Sequence, residues 1–433
     1  MFAILRRNPQ FRRLWAAQAI SQGGDWLNRI AILTLIGRLG SPSEAAGVGA
    51  LFGFELAVRL FPSALFGPIA GPLADRLPRR ALMIGSDLLR IVVVLGYLLI
   101  DRPEELPLLY GLLITQMSLT IFFTAARSAA VPQTVPAGDL HAAYTISATT
   151  WSAMLALGAA AGGLLVELVG VRGVFLLDAC TFAASAAMLL RLAPLPVPEH
   201  PQRLSLRDLL LFVDMRRAFA HLRERKILAP LFAKTLWGSA GGFLVLLSVA
   251  ARERFPSSTD AVEAAGNAGL ATGLLYTARG IGTGIGPILA RHYLGSTDAA
   301  LRRQILAGFA VGAGGYAVFA VCESLPWAFF WVLVAHCGGS TLWVASTTWW
   351  QRRVDNAFRG RVFSLEFLGM TLAFIAGALG AGWVYDRTGS VRDAVWVQSG
   401  LVVAGGLAWA WIARRTAAAG GDRDGADGYN ESA

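Results

Sequence analysis

Charge is what this sequence has least of. Only 15% of its 433 residues are Asp, Glu, Lys or Arg, where a soluble domain carries about a quarter, so a soluble two-domain enzyme fits poorly. Cysteine is scarce too. Cys180 and Cys337 fall inside apolar runs and Cys322 at the end of one, with no C-x-x-C spacing, which argues against disulfides and a structural zinc site. The chain shows no metal-binding cluster, Walker-type phosphate loop or serine elbow. Its "GIGTGIG" (280–286) lies within an apolar run, where small residues serve close helix packing rather than a dinucleotide. No enzymatic activity, cofactor or metal is therefore expected.

Apolar residues are abundant, at 55%, and they come in stretches of ~20, the length a helix needs to cross ~30 Å of hydrocarbon. Twelve candidate spans follow: roughly 14–38, 46–73, 81–100, 107–126, 142–168, 173–192, 228–250, 267–290, 302–321, 327–350, 362–385 and 394–413. With the N-terminus placed inside and the span-end residues Arg38, Arg191, Arg302 and Arg303 counted with their adjacent connections, 26 of the 38 Lys and Arg fall in inner segments and 7 in outer loops, which puts both termini in the cytoplasm. The same bias accounts for the net charge of +10 without nucleic acid as a partner. The first run contains Asp25 and is too long for a signal-peptide core; no cleavable signal is expected.

The longest polar interruption opens with "APLPVPEHP" at 193 and continues with amphipathic helical spacing and a basic face to 226, read as a linker on the inner membrane surface. The expected architecture is an all-α integral membrane protein. It has two pseudo-repeated six-helix bundles, 1–192 and 227–415, the linker 193–226, and a disordered tail, 416–433. A weak internal repeat supports the division: a shift of 219 lays Gly163, Glu167 and Gly170 on Gly382, Asp386 and Gly389. Two repeated bundles rocking about a central cavity suit a secondary transporter.

The inner connection "GPLADRLPRR" (71–80) holds one aspartate and three arginines. Orientation alone explains the arginines but not Asp75. The stretch resembles the signature loop of the major facilitator superfamily, Gly-x-Leu-Ala-Asp-Arg-x-Gly-Arg-Arg. "FRRLWAAQAISQGGDWLNRIAI", "GSDLLRIVVVL", "ARSAAVPQTVP", "FLLDACTFAASAAMLLRL" and "RGRVFSL" resemble one branch, the macrolide-efflux-like or drug:proton antiporter-3 group. The resemblance spans nearly the whole chain. It implies a major facilitator fold and an inner gate built from Gly71, Asp75, Arg76, Arg79, Arg80 and Arg127. In that gate Asp75 meets Arg127 and the N-terminus of the eleventh helix near Val362, a contact of ~0.3–1 kcal/mol. Pro78 replaces the family's second glycine, and Ala290 stands where the second half would repeat Asp75.

Ionisable residues inside spans are functional candidates by default. Three pairs stand one helical turn apart, Asp25 with Arg29, Glu55 with Arg59 and Asp87 with Arg90, and each is spaced to neutralise itself. Asp25 lies ~16 Å into its span at 1.5 Å per residue, near the midplane, so it is the first candidate for proton coupling, with Glu55 second. Lys234, Arg279 and His336 lie in the opposing half. Lys234 reads as snorkelling to the inner surface, and His336 as either an interhelical hydrogen bond or a proton or substrate site. Phe122, Phe123, Trp237 and Trp343 are candidates for an apolar cavity wall or for packing.

The resulting expectation is a proton-coupled exporter of amphipathic or hydrophobic small molecules, monomeric, in a bacterial cytoplasmic membrane. Its partners are substrate, protons and the lipid bilayer. A dedicated exporter of one metabolite, such as a siderophore or lysophospholipid, and a non-transporting membrane sensor or scaffold remain as alternatives.

Overall fold

The computed structural model describes residues 3–40, 47–74, 76–195, 228–255, 268–354 and 356–418. Asp75, nearly all of the linker and the tail beyond 418 lie outside them, so the expectations placed there are not met by any described residue. What is described is helical throughout, with no strand among the described residues. The helices are α1 (Ala3–Arg7), α2 (Pro9–Leu39), α3 (Val48–Ala74), α4 (Arg79–Gly96), α5 (Leu106–Ala130), α6 (Leu140–Leu190), α7 (Leu228–Leu236), α8 (Gly241–Arg254), α9 (Gly269–Leu294), α10 (Asp298–Phe319), α11 (Leu325–Gln351), α12 (Asn356–Thr388) and α13 (Val391–Ala418).

Local sequence sets many of these limits. Proline occupies the first turn of α2, α5 and α11, where its missing N–H costs nothing. Thr297 caps α10 by accepting from the Ala300 N–H. Gly170 turns the chain inside α6 with φ 71°, and Gly389 turns it between α12 and α13 with φ 62°. These are the two glycines that the 219-residue shift superimposes, so the repeated backbone turn gives that faint sequence match a physical cause.

Eight stretches are long and apolar enough to cross a membrane, among the described residues. One of them, Ala137–Leu190, spans 54 residues and contains the Gly170 turn, so it holds two of the expected runs. α2, α9 and α10 fall short of that apolar test but are helical all the same; their glycines and polar residues dilute the hydropathy without interrupting the helix. Large apolar side chains such as Val92, Ile288 and Leu407 lie exposed on the outside of the bundle, as lipid contact requires.

The ends of the bundle are fixed by side chain to carbonyl contacts. Arg13 reaches the Arg191 carbonyl, and Arg80 reaches those of Leu189 and Leu190. These contacts gather the starts of α2 and α4 and the end of α6 at one end, called proximal here. At the other, distal end Arg254 donates to Ala320 and Cys322. The N-terminal helices α2–α6 meet α7–α13 from the middle of the bundle to the distal end through small residues. A Cβ on Gly163 would fall 2.7 Å from the Gly269 carbonyl, and one on Gly382 would fall 2.2 Å from that of Gly49. The "GIGTGIG" glycines follow the packing expectation: a Cβ on Gly282 or Gly286 would meet the Leu333 or Cys337 carbonyl of α11 at 2.2 and 2.3 Å.

Candidate functional site

A cavity of about 270 Å³ lies among the N-terminal helices, and the spacing of α2 sets one wall of it. Ser21, Gln22, Asp25, Trp26 and Arg29 project from α2, facing Arg59 of α3, Arg90 of α4, Met117, Phe123 and Arg127 of α5, and Trp151 of α6. Asp25 is the acid among these lining residues.

Asp25 does not pair with Arg29, contrary to the one-turn spacing. Its carboxylate lies 3.5 Å from Arg90 and accepts a 3.5 Å hydrogen bond from Gln116. Arg29 turns away to donate to the Tyr276 hydroxyl at 3.4 Å and lies over the Trp26 and Tyr276 rings, with centroids at 5.4 and 5.1 Å. Two aromatic faces and a hydroxyl outcompete the local carboxylate because α9 brings Tyr276 against α2.

The other two pairs form as their spacing predicts. Arg59 donates to Glu55 at 2.6 Å, and Arg90 is bound to Asp87. Arg90 is the hub of the network: it is buried between the rings of Phe123 and Phe182, while Asp87 also accepts from Ser185 at 2.7 Å.

Sequence reasoning passed over Asp178, which is fully buried. One carboxylate oxygen accepts from Thr181 at 3.2 Å. Neighbouring Asn28 is buried likewise, with its side chain against the Asp178 carboxylate. Gly24 admits this pair: a Cβ there would fall 2.0 Å from Thr181 Oγ1 and 2.3 Å from Asp178 Oδ1. The signal was available, since an acid inside "FLLDACTF" is as costly as Asp25.

In the C-terminal helices Lys234 does not snorkel. It is buried, bonded to Glu366 at 2.9 Å and Thr347 at 2.5 Å, and held over Trp343 at 4.6 Å. Glu366 was the missing half of that reading. A buried ammonium with a carboxylate in reach gains more from pairing than from stretching toward water. His336 shares a 2.7 Å hydrogen bond with Tyr316, whose ring stacks on Phe243, the satisfied interhelical alternative. Trp237 is packing rather than cavity wall, set against Phe309 and the glycines at 312 and 339. Phe122 packs on Phe66, whereas Phe123 lines the cavity. Trp343 is partly exposed. Arg279 lies over the same Trp26 and Tyr276 rings as Arg29, at 5.8 and 5.7 Å.

Among the expected gate residues, Gly71 is exposed, Arg76 is half-buried and Asp75 is outside the described residues. Arg79 donates to the Ala129 carbonyl at 2.9 Å and Arg80 to that of Leu190 at 2.6 Å, so both cap helix C-termini. Arg127 donates to Gln18 at 2.7 Å and to Ser147 at 3.5 Å. At the distal end Asp386 accepts from the Gly49 and Ala50 N–H groups, each at 2.8 Å, and so joins α12 to the N-terminus of α3.

The profile of the Major Facilitator Superfamily matches residues 14–266. The chain is 29% identical over 186 residues to the uncharacterized MFS-type transporter YfiS of Bacillus subtilis, a match that spans 43% of each chain. It is 25% identical to macrolide efflux protein A of Streptococcus pyogenes over 394 residues, 88% of this chain and 90% of that one. The crystal structure of the nucleoside transporter NupG superposes with a TM-score of 0.68 at 14% identity, over 93% of this chain and 99% of that one; at that identity the likeness concerns the fold.

Proposed function

The chain belongs to the Major Facilitator Superfamily, and from that premise we propose that it is a twelve-span, proton-coupled exporter of amphipathic or hydrophobic small molecules. In this reading two six-helix bundles, 1–192 and 227–415, alternate about the cavity in a bacterial cytoplasmic membrane, with both termini in the cytoplasm. The protein works as a monomer.

The observation that carries the reading is Asp25, a carboxylate facing the cavity from the middle of α2 and tied to Arg90 only at 3.5 Å. Arg90 keeps Asp87 as its close partner, so taking a proton at Asp25 does not leave Arg90 without a counter-charge. Substrate drawn to the cavity alters the field at Asp25 and exchanges with that proton. The Asp25–Arg90 contact joins α2 to α4, so the proton also changes how the helices around the cavity are held. The gate role of Asp75, Arg76 and Arg127 belongs to the same proposal, as does Glu55 as the second coupling site. The 25% likeness to macrolide efflux protein A supports the outward direction.

The test is proton flux in proteoliposomes holding a trapped pH dye, under an imposed pH gradient. A panel of macrolides, lipophilic cations, siderophores and amphipathic anions is added to the wild type. Compound-dependent proton movement is expected. Silence across the panel, with ligands bound in parallel assays, would favour a sensor.

A further inference from the structure

We infer that the cavity takes an anionic amphiphile, a molecule with an aromatic or otherwise apolar body and one acidic group, whose charge is held by Arg29 of the cavity wall and by Arg279, which lies over the wall residue Trp26 without lining the cavity itself. The inference rests on the transporter reading and names the substrate class of the same cavity. It follows from which guanidinium groups have a counter-charge. Arg59 has Glu55, and Arg90 has Asp87 and Asp25. Arg29, only 7% exposed, has no carboxylate nearer than Glu55, which is itself paired with Arg59, and Arg279 has none within ion-pair distance among the described residues.

Buried guanidinium groups without an anion are costly, and cation–π contact returns only ~0.5–2 kcal/mol of that. Arg29 bears that cost in full and the half-buried Arg279 bears it in part, at one place. The two arginines come from α2 and α9, on opposite halves of the molecule, and lie over the same pair of rings. Like charges gathered from both halves onto Trp26 and Tyr276 are relieved by a negative group between or beside them. Each also keeps an unused donor: Arg29 Nε and Arg279 Nη1 are buried with no partner. Two such N–H groups suit the oxygens of a carboxylate, sulfonate or phosphate ester. Trp26, Trp151 and Phe123 supply apolar wall for the body of the molecule. A cationic amphiphile meets the reverse situation, since Asp25 already has Arg90 and the two uncompensated arginines repel it. An anion bound across Arg29 and Arg279 would also bridge the two halves, which is where substrate must act to drive their rocking.

Naphthalene-2-sulfonate and 2-naphthyltrimethylammonium, which share one ring system and carry opposite charges, are the probes. Their binding to the purified full-length protein in detergent is measured by titration calorimetry, alongside Arg279→Gln, Arg29→Gln and Arg279→Lys. Partition into detergent is common to all variants and cancels between them, and each probe's own partition into protein-free micelles is subtracted before the two probes are compared. Naphthalene-2-sulfonate is expected to bind the wild type at least about tenfold tighter than 2-naphthyltrimethylammonium, and to lose about tenfold in either Gln variant while Arg279→Lys retains most of its affinity. Equal or tighter binding of 2-naphthyltrimethylammonium to the wild type, which needs no variant to fold, overturns the inference; so does naphthalene-2-sulfonate binding indifferent to both Gln substitutions. The two readings fail separately. Proton flux driven by lipophilic cations but not by anions sinks the anionic cavity and spares the transporter. Anion binding with no compound-driven flux does the opposite.

Discussion

Removing the Asp386 carboxylate should open the distal end of the molecule. Asp386 of α12 accepts two backbone hydrogen bonds of 2.8 Å, from Gly49 and Ala50 in the first turn of α3, and so places a negative charge on a helix N-terminus of the opposite half. A carboxylate at a helix N-terminus contributes ~0.3–1 kcal/mol when exposed. Charged hydrogen bonds contribute ~1.5–3 kcal/mol where they are sheltered. Asp386 is exposed, so the lower range governs, and about 1 kcal/mol is a fair value for the whole contact. Asp386→Ala should then raise the ratio of distally open to distally closed molecules about fivefold, and Asp386→Asn, which keeps an acceptor oxygen, by about half as much in free energy. Spin labels at Glu104 and Glu323, exposed positions in distal connections of the two halves, report the distance by double electron–electron resonance in a cysteine-free background. Gly49→Ala should widen the same distribution by a steric route, since its Cβ would fall 2.5 Å from the Gly382 carbonyl. A distance distribution unchanged by Asp386→Ala while Gly49→Ala widens it would refute the electrostatic latch.

Two stability predictions rest on the buried contacts. Lys234→Met leaves Glu366 charged and buried, and should destabilise the protein by about 3–5 kcal/mol, whereas the double variant Lys234→Met/Glu366→Met recovers most of the loss; thermal unfolding in nanodiscs distinguishes the two, and an equally damaged double variant contradicts the pairing. Gly24→Ala forces a methyl group against Thr181 and Asp178 and should cost about 1–3 kcal/mol by the same assay. Unchanged melting would mean that α2 and α6 do not approach as closely as described.

What the sequence made legible was local. Apolar runs of the right length located the helices, and the contacts Glu55–Arg59 and Asp87–Arg90 were readable because partners one turn apart share a helix face. The partners that escaped it are set by packing between distant segments. Asp25 chose Arg90 and Gln116 over Arg29 because α4 and α5 pack beside α2, and Lys234 chose Glu366, 132 residues away. Asp178 and Glu366 were visible as acids in apolar surroundings, but neither had a basic neighbour one turn along the chain to draw attention to it. Asp386 appeared only as a weak match to Glu167 in the repeat; its role depends on α3 beginning where α12 ends, which no local pattern encodes. The two repeat glycines were the reverse case: Gly170 and Gly389 were aligned by a sparse match and turn the chain in the same left-handed region.

The central claim is that Asp25 carries the exchangeable proton, and the direct measurement compares coupled with uncoupled transport in Asp25→Asn. Proteoliposomes are loaded with a compound that moves protons in the wild type, and its exchange without a pH gradient is followed beside its gradient-driven movement. The account predicts that Asp25→Asn keeps compound exchange but loses both gradient-driven accumulation and the accompanying proton flux. Proton flux and accumulation equal to the wild type would contradict it.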